Sequence, residues 1–268
     1  MVSVELRQRT YSGIALIAIS LVALFVGGAA SALLIGALGV LGMSEWVRMI
    51  RPRQLRLIEL VCVTILIVLM LVGFYLRPAF AFMLAVVLML LLFVFAARLD
   101  FERAGWLALA VPYIGGGCLA MLYVRLLPEL GFDLMLYLLL VVWGTDIGAY
   151  FTGRTLKGPK LLPKVSPSKT WSGLLGGMGL AALLAFIVAA VHDVQQPGMA
   201  VALAAVLAVV AQIGDLFESY IKRRCGVKDS GAIIPGHGGV LDRIDGLMFA
   251  AAFLALFQTM VGAHSAWW

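Results

Sequence analysis

Nine long apolar runs dominate this chain, at about 11–28, 30–47, 57–76, 79–97, 105–127, 133–153, 170–191, 198–221 and 245–263. A helix needs about 20 apolar residues to cross a bilayer. The runs are continuous and lack the period-two alternation of a membrane barrel, so strands are not expected. The fold class that follows is an all-α integral membrane protein, a polytopic bundle of about nine transmembrane helices. Composition agrees: 63% of the 268 residues are hydrophobic and 13% charged, against about 45–50% apolar and about 25% charged in soluble domains. That leaves no room for a large soluble domain. The chain reads as one membrane domain, 1–268, with supporting helices in 1–130 and a core with two polar loops in 131–268.

Charge sets an orientation. With the N-terminus inside, the inner segments hold Arg7, Arg9, Arg48, Arg51, Arg53, Arg56, Arg98, Arg103, Arg154, Lys157, Lys160, Lys164, Lys169, Lys222, Arg223, Arg224, Lys228 and Arg243. That is 18 of the 20 Lys and Arg; the outer side keeps Arg77 and Arg125. Cytoplasmic loops carry such an excess, so the formal net charge of +6 reflects topology and no nucleic-acid partner is implied. An odd number of spans places the C-terminus outside, where Trp267 and Trp268 suit an interfacial anchor. The apolar run after Arg7 and Arg9 could imitate a signal peptide, but the next span follows at once, so it is read as an uncleaved first span. Gly27-Gly28-Ala29-Ala30-Ser31 makes a tight turn between the first two spans. Three cysteines give no disulfide framework: Cys62 and Cys118 lie in apolar runs as small core residues, and Cys225 lies in a loop.

Two polar regions stand out. The first runs from Trp143 to Thr170. Asp146 lies inside an apolar helix, and Tyr150 and Arg154 follow on the same face. A carboxylate at that depth costs about 2.5–3.5 kcal/mol on insertion scales and normally faces a polar cavity or partner. Ser166-Pro167-Ser168-Lys169-Thr170 opens the next helix with Ser168 as its N-cap, and a helix N-terminus beside a lysine suits phosphate. The basic charge of this loop alone is equally explained by topology. The second region runs from Ser219 to Asp245, preceded by Asp215 and Glu218 at the inner end of the eighth span. Gly236-His237-Gly238-Gly239 lets backbone N–H groups approach an anion. Asp242 and Asp245 share a helix face. Either alone is ordinary first-turn chemistry, held by Arg243 and Arg224. With Asp215 they make an oxygen-only site that suits Mg²⁺, or another divalent cation such as Mn²⁺, rather than zinc. His237 and Cys225 do not make a zinc set.

The run Ser219-x-x-Lys222-Arg223, Lys228-Asp229-x-Gly231 and Pro235-Gly236-His237-Gly238-Gly239-x-x-Asp242-Arg243-x-Asp245 resembles the signature of phosphatidate cytidylyltransferases (CDP-diacylglycerol synthases). Asp146-x-Gly148-Ala149-Tyr150, Gly153-Arg154 and Ser166-Pro167-Ser168-Lys169-Thr170 are similar to the same family's core. The resemblance covers the half of the chain from Trp143 onward. It implies that CTP and phosphatidic acid give CDP-diacylglycerol and diphosphate, at the cytoplasmic face of a cell inner membrane, with the lipid entering from the bilayer. It also implies a divalent cation on Asp215, Asp242 and Asp245, supported by Asp146 and Asp229. Lys222, Arg223, Lys228 and Arg243 would hold phosphates. Lys169, Ser168, Arg154 and Ser219 would complete the substrate contacts with Gly238 and Gly239. His237 would bond phosphate or shape its loop and would not act as a base, since a phosphate monoester's second pKa is about 6. One departure is visible: the family usually has Glu where Ser172 stands, which implies a weaker or divergent site there. A homodimer is left open.

Two other readings share parts of this pattern. A polyprenol kinase or a cytidylyltransferase for another phospholipid would use the same metal chemistry. An ion-coupled transporter would place Asp146 and Asp215 along an ion path, but the polar groups cluster at one face and not at the midplane.

Overall fold

Backbone N–H and C=O groups in lipid must find partners within their own segment, which leaves the helix as the economical form for each apolar run. A computed structural model describes the backbone of residues 4–236, 238–262 and 268, and their side chains from residue 10 onward. The elements are α1 (Val4–Val26), α2 (Gly28–Ile50), α3 (Leu55–Tyr75), α4 (Pro78–Leu99), α5 (Phe101–Ala110), α6 (Gly116–Arg125), α7 (Gly131–Thr155), β1 (Lys160–Leu162), β2 (Ser166–Thr170), α8 (Trp171–Val191), α9 (Pro197–Arg224) and α10 (Leu241–Val261). The helices α5 and α6 form one rod through a π turn at Val111–Gly115. Among the described residues eight rods are long and apolar enough to span a membrane, and Thr10–Val26 is a shorter apolar helix. The chain is a multi-pass, all-α membrane protein, with the expected nine rods.

Local chemistry explains the breaks. Gly27 alone separates α1 from α2, at φ 124°, a backbone region that glycine enters without steric cost. Pro112 sits inside the π turn and supplies no N–H to the helix ladder, so the rod widens there instead of running regularly over 105–127. The loop after α7 corrects the expectation that strands are absent. β1 and β2 pair antiparallel, Lys160 with Thr170 and Leu162 with Ser166. Ser168 therefore lies in a strand and does not cap α8. Thr170 is the N-cap, and its Oγ1 accepts from Gly173 N at 3.0 Å.

The chain divides into two compact units. The first joins the residues up to Leu126 with Arg224–Ile244; the second joins Leu127–Arg223 with the residues from Asp245 onward. The Ser219–Asp245 stretch is thus divided, and most of it belongs with the N-terminal helices.

In the first unit, Trp46 is fully buried, donates from Nε1 to the Trp106 carbonyl at 2.9 Å and tilts against Tyr113. Leu66, Leu69, Ile114 and Leu119 are also fully buried, and Cys62 and Cys118 are buried core thiols, as their apolar runs suggested. Asp100 ties the α4–α5 corner by accepting from Arg53 N at 3.1 Å and Arg103 Nη1 at 2.9 Å. Arg125 donates to Ser31 Oγ and the Leu24 carbonyl.

In the second unit α7 and α8 approach so closely that side chains are excluded. A Cβ on Gly148 would lie 2.6 Å from the Gly176 carbonyl, and one on Gly177 would lie 2.7 Å from that of Thr145. Lipid tails are as apolar as leucine, so helix association in a bilayer depends on such contact packing. Thr152 Oγ1 fastens the pair by donating to Gly148 O at 2.7 Å and Ser172 O at 3.1 Å. Gly148→Ala is expected to destabilise the fold by about 1–3 kcal/mol, read as a lower unfolding temperature in detergent. Gly179→Ala, whose Cβ meets nothing within 4 Å, serves as the control and is expected to leave it unchanged or raise it slightly.

Candidate active site

Polar side chains collect in two places, one in each unit. In the second unit, α9 carries Gln212, Asp215, Glu218, Ser219 and Lys222 at helical spacing. Lys169, at the end of β2, reaches α9: its Nζ lies 2.5 Å from Asp215 Oδ2 and donates to Gln212 Oε1 at 2.9 Å. Ser219 Oγ donates to the other oxygen of Asp215 at 3.3 Å. Glu218 is completely buried and forms an ion pair with Lys222, itself 8% exposed. Asp245, one turn into α10, is buried, and its Oδ1 accepts from Gly246 N at 2.8 Å. The carboxylates of Asp215, Glu218 and Asp146 lie close enough to interact electrostatically with it. Backbone contact brings these groups together. A Cβ on Gly214 would lie 2.8 Å from the Asp245 carbonyl, and one on Gly246 would lie 3.0 Å from that of Ala211.

Four carboxylates therefore share this region, and Lys169 and Lys222 each neutralise one of them. With more acids than lysines, the region favours an added cation. Oxygen donors of this kind match a hard divalent ion. Among the described residues no three His, Cys, Asp or Glu side chains already converge as a complete ligand set. The chemistry of the donors fits a divalent cation, while the ion pair on Asp215 and the wider spacing leave the set unassembled.

The other expected residues of this unit take local partners. Arg154 Nη1 donates to the Tyr150 hydroxyl at 2.9 Å, on an exposed part of α7. Arg223 Nε donates to the Val165 carbonyl at 3.4 Å, and Ser168 Oγ lies 3.5 Å from Ser166 Oγ. Ser172, at the position where the family usually has Glu, donates from Oγ to the Lys157 carbonyl and lies 3.1 Å from Thr170 Oγ1. Lys157 has φ 58°, so this hydroxyl secures an otherwise unfavourable turn, a task that needs a donor.

In the first unit, the loop from Arg224 to α10 folds on itself and onto α2. Ile234 N donates to the Gly238 carbonyl at 2.9 Å, closing the turn that contains Gly236 and Gly238, both at positive φ. His237 lies outside the described residues. Asp242 does not project from its helix as an isolated ligand. It accepts from Ser230 N at 3.0 Å and from Gly239 N at 2.8 Å. The Gly239 N–H, expected to face an anion, is thereby directed to Asp242. Lys228, Asp229 and Arg243 are exposed, and Asp242 is half-buried at the start of α10. Cys225 lies near Arg51 and Arg103; burial pushes its thiol pKa up, although both guanidinium groups oppose the shift.

Two residues of these regions escaped the sequence reading. Gln212 shares Lys169 with Asp215, and its signal was a buried amide one turn before that acid. Glu45, on α2, is 2% exposed. Its Oε1 accepts from Val240 N at 2.9 Å, and its Oε2 accepts from Leu241 N at 2.8 Å and Ser230 Oγ at 3.0 Å. An acid inside an apolar run was the signal available for it.

The chain is thus an all-α membrane protein that sets carboxylates and lysines together on α9, α10 and β2. Residues 7–261 match the sequence model of the Cytidylyltransferase family, and the chain belongs to that family. It is 36% identical to the phosphatidate cytidylyltransferase of Bacillus subtilis (strain 168), over 94% of this chain and 97% of that one. It is also 36% identical to the phosphatidate cytidylyltransferase of Haemophilus influenzae, over 96% of this chain and 99% of that one. With the phosphatidate cytidylyltransferase of Brucella suis biovar 1 the identity is 49%, over 57% of each chain. The chain thus spans 57% of the length of that Brucella relative.

The cap on α8 gives a direct check of the local structure. Thr170→Ala is expected to cost about 1 kcal/mol and Ser168→Ala much less, compared by thermal unfolding of the purified variants in detergent.

Proposed function

We propose that this chain is a phosphatidate cytidylyltransferase, which converts CTP and phosphatidic acid into CDP-diacylglycerol and diphosphate. The observation that carries the reading is the grouping of Asp146, Asp215, Glu218 and Asp245 with Lys169 and Lys222 in a member of the Cytidylyltransferase family. The names of its relatives from Bacillus subtilis and Haemophilus influenzae support the same activity.

In the reaction, a phosphate oxygen of phosphatidic acid attacks the α-phosphorus of CTP. The new P–O bond forms as the bond to the β-phosphate oxygen breaks, and diphosphate leaves. Both reactants are anions, so neutralising their repulsion and aligning them are the main catalytic tasks. Lys169 and Lys222 supply positive charge for this. Gln212 fixes Lys169 in direction, and Ser219 does the same for Asp215. Asp215, Asp245 and Asp146 are the proposed holders of Mg²⁺ or Mn²⁺. When bound, that ion would neutralise phosphate charge and polarise the α-phosphorus. Asp242, also expected on the metal, is assigned here to holding the loop before α10. Positive-inside charge supports a site at the cytoplasmic face of the inner membrane, where CTP is available and the lipid's acyl chains remain in the bilayer.

The test uses purified protein, radiolabelled CTP and phosphatidic acid in mixed micelles. CDP-lipid is expected with Mg²⁺ and is expected to disappear with a chelator. Asp245→Asn keeps the shape of the side chain and is expected to lower turnover by about 100-fold or more while the protein still inserts. Absence of CDP-lipid from the wild-type protein with Mg²⁺ or Mn²⁺ would overturn the proposed activity. Near-normal turnover by Asp245→Asn would remove Asp245 from the cation site.

A further inference from the structure

Glu45 is a buried carboxylate to which the reaction above assigns no task. It sits on α2, yet its side-chain hydrogen bonds go to residues 185–196 positions further along the chain. Two of its partners, Val240 N–H and Leu241 N–H, are at the start of α10. The first N–H groups of a helix have no partner within the helix, and the positive end of its dipole favours an anion. Glu45 thus caps α10 from a different helix. Its third bond, from the Ser230 hydroxyl, holds the far side of the loop. Ser230 is gripped twice, because its N–H donates to Asp242.

The neighbouring glycines fit around this carboxylate. A Cβ on Gly239 would lie 2.6 Å from Glu45 Oε2, and one on Gly231 would collide with Glu45 Oε1. A Cβ on Gly42, one turn earlier on α2, would rest against Leu241 at 3.5 Å and Ile244 at 3.8 Å. Loop, helix start and α2 are thus fixed as one piece, with Glu45 at its centre.

We infer that Glu45 is a positioning residue of the loop before α10: it fixes the turn at Gly238-Gly239 and the start of α10, and through them the backbone that carries Lys228 and Arg243, the loop's candidates for holding CTP phosphates. The inference rests on the proposed cytidylyltransferase activity. Glu45 touches no reactant itself and acts through the backbone of residues 230–241.

Glu45→Gln tests it with little change of volume. The amide keeps one accepting oxygen, while its NH₂ group meets N–H donors. The variant is expected to melt within about 3 °C of wild type and to raise KM for CTP about tenfold, as losing a charge-assisted hydrogen bond would. KM for phosphatidic acid should change less than about threefold, and the Val240 and Leu241 amides should exchange hydrogen faster. Ser230→Ala removes a single bond to Glu45 and is expected to raise KM for CTP about two- to threefold; it carries the test if Glu45→Gln does not fold. An active wild type, together with variants that keep the wild-type KM for CTP or lose activity only in proportion to folded protein, would overturn the role of Glu45 alone. A wild type that makes no CDP-lipid would overturn the proposed activity and this inference with it.

Discussion

A carboxylate set among apolar helices must be met by donors or by a cation, and both polar regions of this protein are organised by that requirement. On α2, Glu45 is met by two backbone amides and a hydroxyl. On α9, Asp215 and Glu218 are met by Lys169 and Lys222. These acids differ in what they can do. Glu45 is served by neutral, fixed donors and holds a shape. The group around Asp245 contains more acids than lysines, so it retains an appetite for positive charge.

Small residues make this arrangement sterically possible. Glycines on α7, α8, α9 and α10 let backbones touch, which brings acids from different helices within electrostatic range without long side chains. Close approach also explains two glycines of the signature before α10, while Gly226, Gly236 and Gly238 serve positive-φ turns. Gly231 and Gly239 lack side chains because Glu45 and Ser230 occupy the space. The sequence alone suggests that such glycines are there for an anion; packing against a carboxylate is the more immediate reason.

The fold was largely legible because span length and apolar continuity are local properties. The nine rods follow from them, and the break at Gly27 follows from its lack of a Cβ. The β1–β2 hairpin was not legible, since Ser166-Pro167-Ser168-Lys169-Thr170 reads equally well as a helix opening. Backbone pairing with residues 160–162 decided otherwise. Within the candidate site, Lys169, Asp215, Lys222 and Asp245 stood out as charged residues in apolar surroundings, and the structure places them in one region of the second unit. Asp242 stood out for the same reason, but its partners are amides of its own loop. Glu45 was hidden because its partners lie far along the sequence and two of them are backbone groups, which leave no trace in residue type.

That distance has a consequence for how the protein is made. α2 leaves the ribosome and enters the membrane long before residues 230–241 exist. Until then Glu45 lacks its eventual donors, and burying a charged group without partners is costly. The first helices must therefore keep that end of α2 hydrated during synthesis, and settle only when the last loop arrives. A chain stopped short of residue 230 would retain every helix from α1 to α9, yet carry a permanent defect at Glu45. For the membrane's quality-control proteases, that exposed carboxylate would mark an unfinished protein.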